Sequence, residues 1–373
     1  MFNWRKRIGP RQRIQTSPYS PAELLLIDDD LNQIEVMRGQ LIRTLPEWAQ
    51  EGVLRFRREM QQIEEEMPDL LTTVTHRHAV PWIMTQSATS QYAQSMGIDM
   101  EGGNAVASYG PYGVLEEERG IVKPIVFNVK EYLQHPSEFN SMAHELAHGL
   151  DDSAIDSNDV KAERHSDTNL FTLCFMLDYL FEENGLARSI HEKVSKGTYQ
   201  YDDYFEEYFS NAISNVVTRN YENENSFLVR YVREVVQSDL YYHEALWTEP
   251  DNPVLKAFEV EIRDYNIDNI FSAAGNPLGG ELTDAIAMQG WLMQDDYVQK
   301  VAPDTPPHPK AGNIRERLEQ LKERIRPRLN VIDATLDTFM KDDILQDAYA
   351  FVQDYRNFDK PSPPAPPSRP FGM

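Results

Sequence analysis

The sequence predicts an α+β protein, mostly helical, with a small sheet placed before a long series of helices. Three observations predict it. Short segments rich in β-branched and aromatic residues, "AVPWIMTQ", "NAVASYG" and "KPIVFNV", cluster within residues 79–130 between glycines and prolines. Helical periodicity dominates from residue 137 to about 357. No segment repeats, so a solenoid or propeller is excluded.

Taken in order, residues 1–20 read as a disordered arm, basic through Arg5, Lys6, Arg7, Arg11 and Arg13. No apolar stretch follows them, so the arm is not a standard secretory signal. Residues 21–75 read as N-terminal helices, from "AELLLIDDDLNQIEVMRGQLIRTL" and "EGVLRFRREMQQIEEE", punctuated by Pro46 and Pro68. Residues 76–220 form the expected catalytic core, with helices over 137–150, 159–184 and 202–219. Residues 221–357 form a C-terminal helical region, with helices over 226–247, 253–264, 313–326 and 329–356. "AAGNPLGG" and "APDTPPHPKAG" are loops, and residues 358–373 are a proline-rich tail.

The 373 residues suffice for a sizeable core, and 41% hydrophobic with 26% charged content is ordinary for a globular chain. A net charge of −24 argues against nucleic acid as partner, because that binding needs a basic footprint. Cys174 is the single cysteine, which excludes an internal disulfide and suits a reducing cytoplasm; its apolar setting, "FTLCFML", makes it buried filler. No apolar run reaches the roughly 18 residues of a membrane helix. The sequence carries no signal for oligomeric state.

The chemistry concentrates in "SMAHELAHGLDD", residues 141–152. On a helix, positions i and i+4 share a face, so His144 and His148 would present two imidazoles to one ion. That ion is expected to be Zn2+, and Glu145 is placed to take the proton of a water activated by it. Pro136 and Ser137 offer a helix start.

A catalytic zinc needs a third protein ligand. Glu163 is the expected ligand: the apolar face Leu170, Cys174, Leu177, Phe181 extends backwards onto Asp167 and Glu163. Glu163 would bind the ion and Asp167 would orient a ligand histidine. Glu207, in "YQYDDYFEEYFSNAISN", is the alternative. Its helical neighbours Tyr204, Asn211 and Ser214 are mostly polar, so it is expected to be solvated unless that face lines the cleft. Asp151 and Asp152 lie too near His148 to fold back, and His165 is expected to be exposed. The strand "PIVFNV" is expected at a sheet edge, where it could hold an extended peptide.

"HELAH" followed by "ERHSD" resembles the gluzincin zinc peptidases, and the block "ERHSDTNLFTLCFML" is most similar to soluble relatives of the CAAX prenyl proteases. The resemblance implies a zincin-like fold. With "PPHPKAGNIRERLEQL", it also implies a substrate or oxyanion contact from His308 or Arg315, although the arginine stands one position later than in that group. "HELAHGLDD" with "YQYDDYFEEYFSNAISN" also resembles the anthrax lethal factor type of peptidase. That likeness implies Glu207 as third ligand and Tyr201 or Tyr199 as the accompanying tyrosine; Asn211 stands where that family has a second glutamate. Tyr201 could polarise the tetrahedral intermediate under either likeness.

The expected function is therefore zinc-dependent hydrolysis of peptide bonds in a peptide or protein substrate, within the cytoplasm. Two alternatives remain at this level. One is a peptidase effector delivered to another cell without a standard signal. The other is a non-catalytic, metal-dependent binding or regulatory protein, against which an intact Glu145 argues.

Overall fold

The computed structural model describes residues 22–68, 70, 82–86, 107–109, 114–116, 120–122, 124–136, 138–152, 169–196, 204–236, 279–330 and 332–333. The architecture is α+β. Strands β1 (Ala22–Ile27), β2 (Gln33–Met37), β3 (Trp82–Thr85), β4 (Ala107–Tyr109) and β7 (Ile125–Asn128) form one mixed sheet in the order β2-β1-β3-β7-β4. β1, β3 and β7 run parallel, while β2 and β4 are antiparallel to their neighbours. β5 (Val114–Glu116) and β6 (Gly120–Val122) form a separate hairpin.

The first stretch corrects the sequence expectation. Residues 22–37 are a hairpin rather than a helix. Leu24, Leu25, Leu26 and Ile27 are all buried, which a strand covered on both faces achieves and a one-sided helix does not. The Asp28 carboxylate closes the turn by accepting N–H groups of Asp30 and Asn32, and Leu31 adopts a left-handed φ of 63°. Through the pairing of β1 with β3, the hairpin at 22–37 belongs to the same sheet as the strands at 82–85 and 125–128.

Helix α1 (Glu47–Glu66) lies on this sheet through Ala49, Val53 and Phe56. The Phe56 ring meets Trp82 and Phe127 edge-on, with centroids 5.8 and 6.0 Å apart. Gly52 marks the closest approach: a Cβ there would lie 2.6 Å from Val129 Cγ2 and 2.7 Å from Met84 Sδ.

A short helix, α2 (Val129–Gln134), leaves β7, and its N-cap Asn128 side chain accepts from Lys130 N. Then come α3 (Ser141–Asp152), which carries HELAH, α4 (Asn169–Phe181), α5 (Leu186–Lys196), α6 (Tyr204–Val217) and α7 (Phe227–Tyr231), continued by a π-turn to Val236. α3 packs chiefly on α6, and also on α1 and β4. Helices α8 (Gly279–Val301) and α9 (Ala311–Ile325) pair with each other, and α8 packs on α4. Ion pairs Arg315–Asp296, Arg317–Asp284 and Arg324–Glu281 join α8 to α9.

Helices α5 and α8 were not expected from the sequence, and α8 begins at Gly279–Gly280, assigned above to a loop. The expected helix 253–264 and most of 329–356 lie outside the described residues, as do the N-terminal arm and the proline-rich tail. No described helix is long and apolar enough to cross a membrane. Cys174 is buried and free, as expected.

Candidate metal centre

The HExxH segment is a helix, and its start is set by Asn140, whose side-chain oxygen accepts from Ala143 N at 2.8 Å. The helical repeat puts His144 and His148 on one face, with their Nε2 atoms 3.1 Å apart. Glu207 enters from α6. Its carboxylate oxygens lie 3.4 Å from His144 Nε2 and 3.5 Å from His148 Nε2. His144 and Glu207 are buried, His148 partly so, and the three ligand atoms lie within 4.8 Å of one another.

These edges fit a metal. Two ligands bound tetrahedrally at about 2.0–2.1 Å are separated by roughly 3.3–3.4 Å. Two imidazole nitrogens and one carboxylate are also the donor set of a three-ligand site with an open position. The group could therefore hold a metal ion.

The electrostatics are consistent with that use. His144 is held well below its ordinary pKa by burial, and further by the neighbouring His148 and His135, so its ring stays neutral. Burial also lowers His148, but the hydrogen bond to Glu206 and the charges of Glu207, Glu145 and Glu206 outweigh it and push its pKa up to about 9. An arriving cation must displace that proton. Beyond the three ligands, His148 Nδ1 lies 3.2 Å from Glu206 Oε1. With Nε2 bound to an ion, Nδ1 would carry the hydrogen and donate to this carboxylate, which would fix the ring's tautomer and orientation.

Glu207 corrects the expectation that it is solvated. α6 is buried on both its apolar and its polar sides: Phe209, Ala212, Ile213 and Val216 face the core, and Glu207, Asn211, Ser214 and Asn215 are buried too. The polar face therefore lines the site. The expected edge strand is also corrected, because β7 lies inside the sheet and β4 takes the terminal position beside it.

Glu163, Asp167, His165, Tyr199 and Tyr201 lie outside the described residues. His308 sits between α8 and α9, exposed, with its ring edge-on to Trp291 and its backbone N–H donating to Asp295. Arg315 pairs with Asp296. Those partners place both residues on the α8–α9 pair.

Sequence reasoning missed Glu206, whose signal was its place directly beside a possible ligand. It missed Arg55 and Glu59 as well, which give no sequence signal beyond a four-residue spacing. No protein family, curated protein or solved structure matches this chain.

Proposed function

We propose that the chain is a zinc-dependent metallopeptidase with a zincin-like core, in which His144, His148 and Glu207 hold the ion and Glu145 is the general base. The observation that carries this reading is the convergence of two imidazoles and one carboxylate from two separate helices: the Nε2 atoms are 3.1 Å apart, one Glu207 oxygen is 3.4 Å from His144 Nε2 and the other is 3.5 Å from His148 Nε2. It stands beside a buried glutamate, Glu145, next in sequence to the first ligand. A zinc ion supplies a Lewis acid that polarises a carbonyl and makes water acidic near neutral pH.

Glu145 takes the proton of the attacking water and returns it to the amine that leaves. Glu206 holds His148 in the tautomer that presents Nε2. β4 has a described neighbour on one side only and packs against α3. An extended peptide adding to its outer side would run beside the HExxH helix, held by main-chain hydrogen bonds.

The test is cleavage of a mixed peptide library, read by mass spectrometry, by zinc-loaded wild type and Glu145→Gln. Wild type is expected to cleave. The variant should be about 10²–10⁴-fold slower with the same zinc content, the usual contribution of a general base. Zinc retained in both with cleavage in neither would leave a metal-dependent binding protein and end the peptidase reading.

A further inference from the structure

We propose that Arg55, Glu59, Asn140 and Ser214 form a buried positioning frame that fixes the HExxH helix against the helix carrying Glu207 and thereby sets the metal affinity of the site. The inference rests on the metal-centre reading above.

Arg55 and Glu59 stand one turn apart on α1, and they are only 6% and 4% exposed. Arg55 Nε donates to Glu59 Oε1 at 2.9 Å. The two remaining guanidinium nitrogens donate to the carbonyl oxygens of Tyr132, His135, Pro136 and Phe139, the chain that leads from α2 into the HExxH helix. The second Glu59 oxygen accepts from Met142 N at 3.1 Å, in the first turn of that helix. Asn140 donates through Nδ2 to Glu59 O at 3.0 Å and to Gln62 Oε1 at 3.1 Å.

Asn140 is also stapled to α6. Its N–H donates to Ser214 Oγ and the Ser214 hydroxyl donates to its carbonyl, both at 3.0 Å. His144 follows Asn140 by one turn and Glu207 precedes Ser214 by two, so both ligand-bearing helices are referenced to the same residue.

The arrangement contributes to stability, because Arg55 and Glu59 satisfy backbone groups that would otherwise lose their partners; an ion pair as such is often replaceable by apolar side chains of similar volume. What the rigid five-donor fork and the reciprocal staple supply besides is fixed geometry. Metal bonds tolerate only about 0.2 Å of error, so geometry is where removal should register.

The experiment compares wild type, the double variant Arg55→Met with Glu59→Met, Glu59→Gln and Ser214→Ala. Zinc affinity is measured by competition with a chromophoric chelator, the visible absorption of the Co2+-loaded proteins is recorded, and helical content is checked by circular dichroism. The double methionine variant should keep its helical content, bind zinc about 10–100-fold more weakly and show an altered cobalt spectrum. Glu59→Gln keeps one acceptor oxygen for the two donors Met142 N and Arg55 Nε and puts an NH2 group against the other, so it should weaken zinc in the same direction as the double variant, by less. Ser214→Ala removes only the staple and should weaken zinc in the same direction, which decides the matter if the double variant does not fold.

Wild-type zinc affinity and cobalt spectrum in folded Ser214→Ala or double methionine protein would overturn the frame while leaving the metal centre standing. Absence of zinc binding by wild type would overturn the metal centre and the frame with it.

Discussion

His148 shows how much of the proposed metal site lies outside its ligands. Its ring has two nitrogens, one aimed at the ligand cluster and one at Glu206. Removing the carboxylate frees the ring to rotate and leaves Nδ1–H without that acceptor. Glu206→Ala is therefore expected to weaken zinc binding about 10–100-fold. In the metal-free protein it should also bring the His148 pKa down from about 9, because the hydrogen bond that offsets burial is gone. Chelator competition checks the first effect and an NMR titration of His148 the second; an unmoved pKa would show that Glu206 does not hold the ring. At this scale the sequence was partly legible. The i, i+4 histidines and the glutamate between them needed only helical geometry. The third ligand was expected from Glu163 rather than Glu207, because two helices each offered a carboxylate and spacing alone does not say which one returns to α3; Glu207 is the one found beside the two histidines, and Glu163 lies outside the described residues. The stripe used to reach Glu163 also loses force: on α4, Phe171, Leu173, Phe175, Met176 and Leu180 are buried together with Cys174 and Leu177, so the helix has no single inward face to extrapolate.

Among the elements, the three strands at 82–85, 107–109 and 125–128 were legible because β-branched and aromatic residues fill short runs between breakers. The hairpin at 22–37 was not. A strand buried on both faces reads as a continuous apolar run, and "AELLLI" followed by acidic residues satisfies a helical template equally well. α8 was missed because it opens on two glycines and contains a third, Gly290, all signals of a loop. The packing of α1 on the sheet gives a prediction at this level. In Gly52→Ala the new methyl would meet the stiff Val129 side chain and Met84 at 2.6–2.7 Å. Overpacking of this kind costs about 1–3 kcal/mol, set against the roughly 0.8–1 kcal/mol that alanine gains over glycine in a helix. The expected result is a lower urea midpoint, and an unchanged or raised midpoint would mean that α1 and α2 separate without cost.

For the whole molecule, half-buried histidines and a buried aspartate shape the pH response. His135 is lowered to about 4 by burial, then by Arg55 and Lys193, and His191 is lowered to about 4 by burial, then by Lys300 and Arg188. Both rings are neutral in the folded chain at pH 6 and partly protonated in the unfolded one. The unfolded state thus binds more protons between pH about 6.5 and about 4, and folding stability is lost as pH falls through that window. Asp178, raised to about 8 by burial, acts in the opposite direction as pH falls below that value. The comparison that isolates the histidines is therefore between wild type and the double variant His135→Gln with His191→Gln. Denaturant midpoints of the variant should fall less steeply between pH 6.5 and 4; equal slopes would contradict the assignment.

The proposed activity depends most on the identity of the three metal ligands. Elemental zinc analysis of wild type, Glu207→Gln and Glu163→Gln, each loaded with zinc and then dialysed, tests it directly. About one zinc per chain in wild type and in Glu163→Gln, with zinc lost from Glu207→Gln, is the predicted result for a three-ligand site. Zinc kept by Glu207→Gln but lost from Glu163→Gln, or absent from all three, would contradict it.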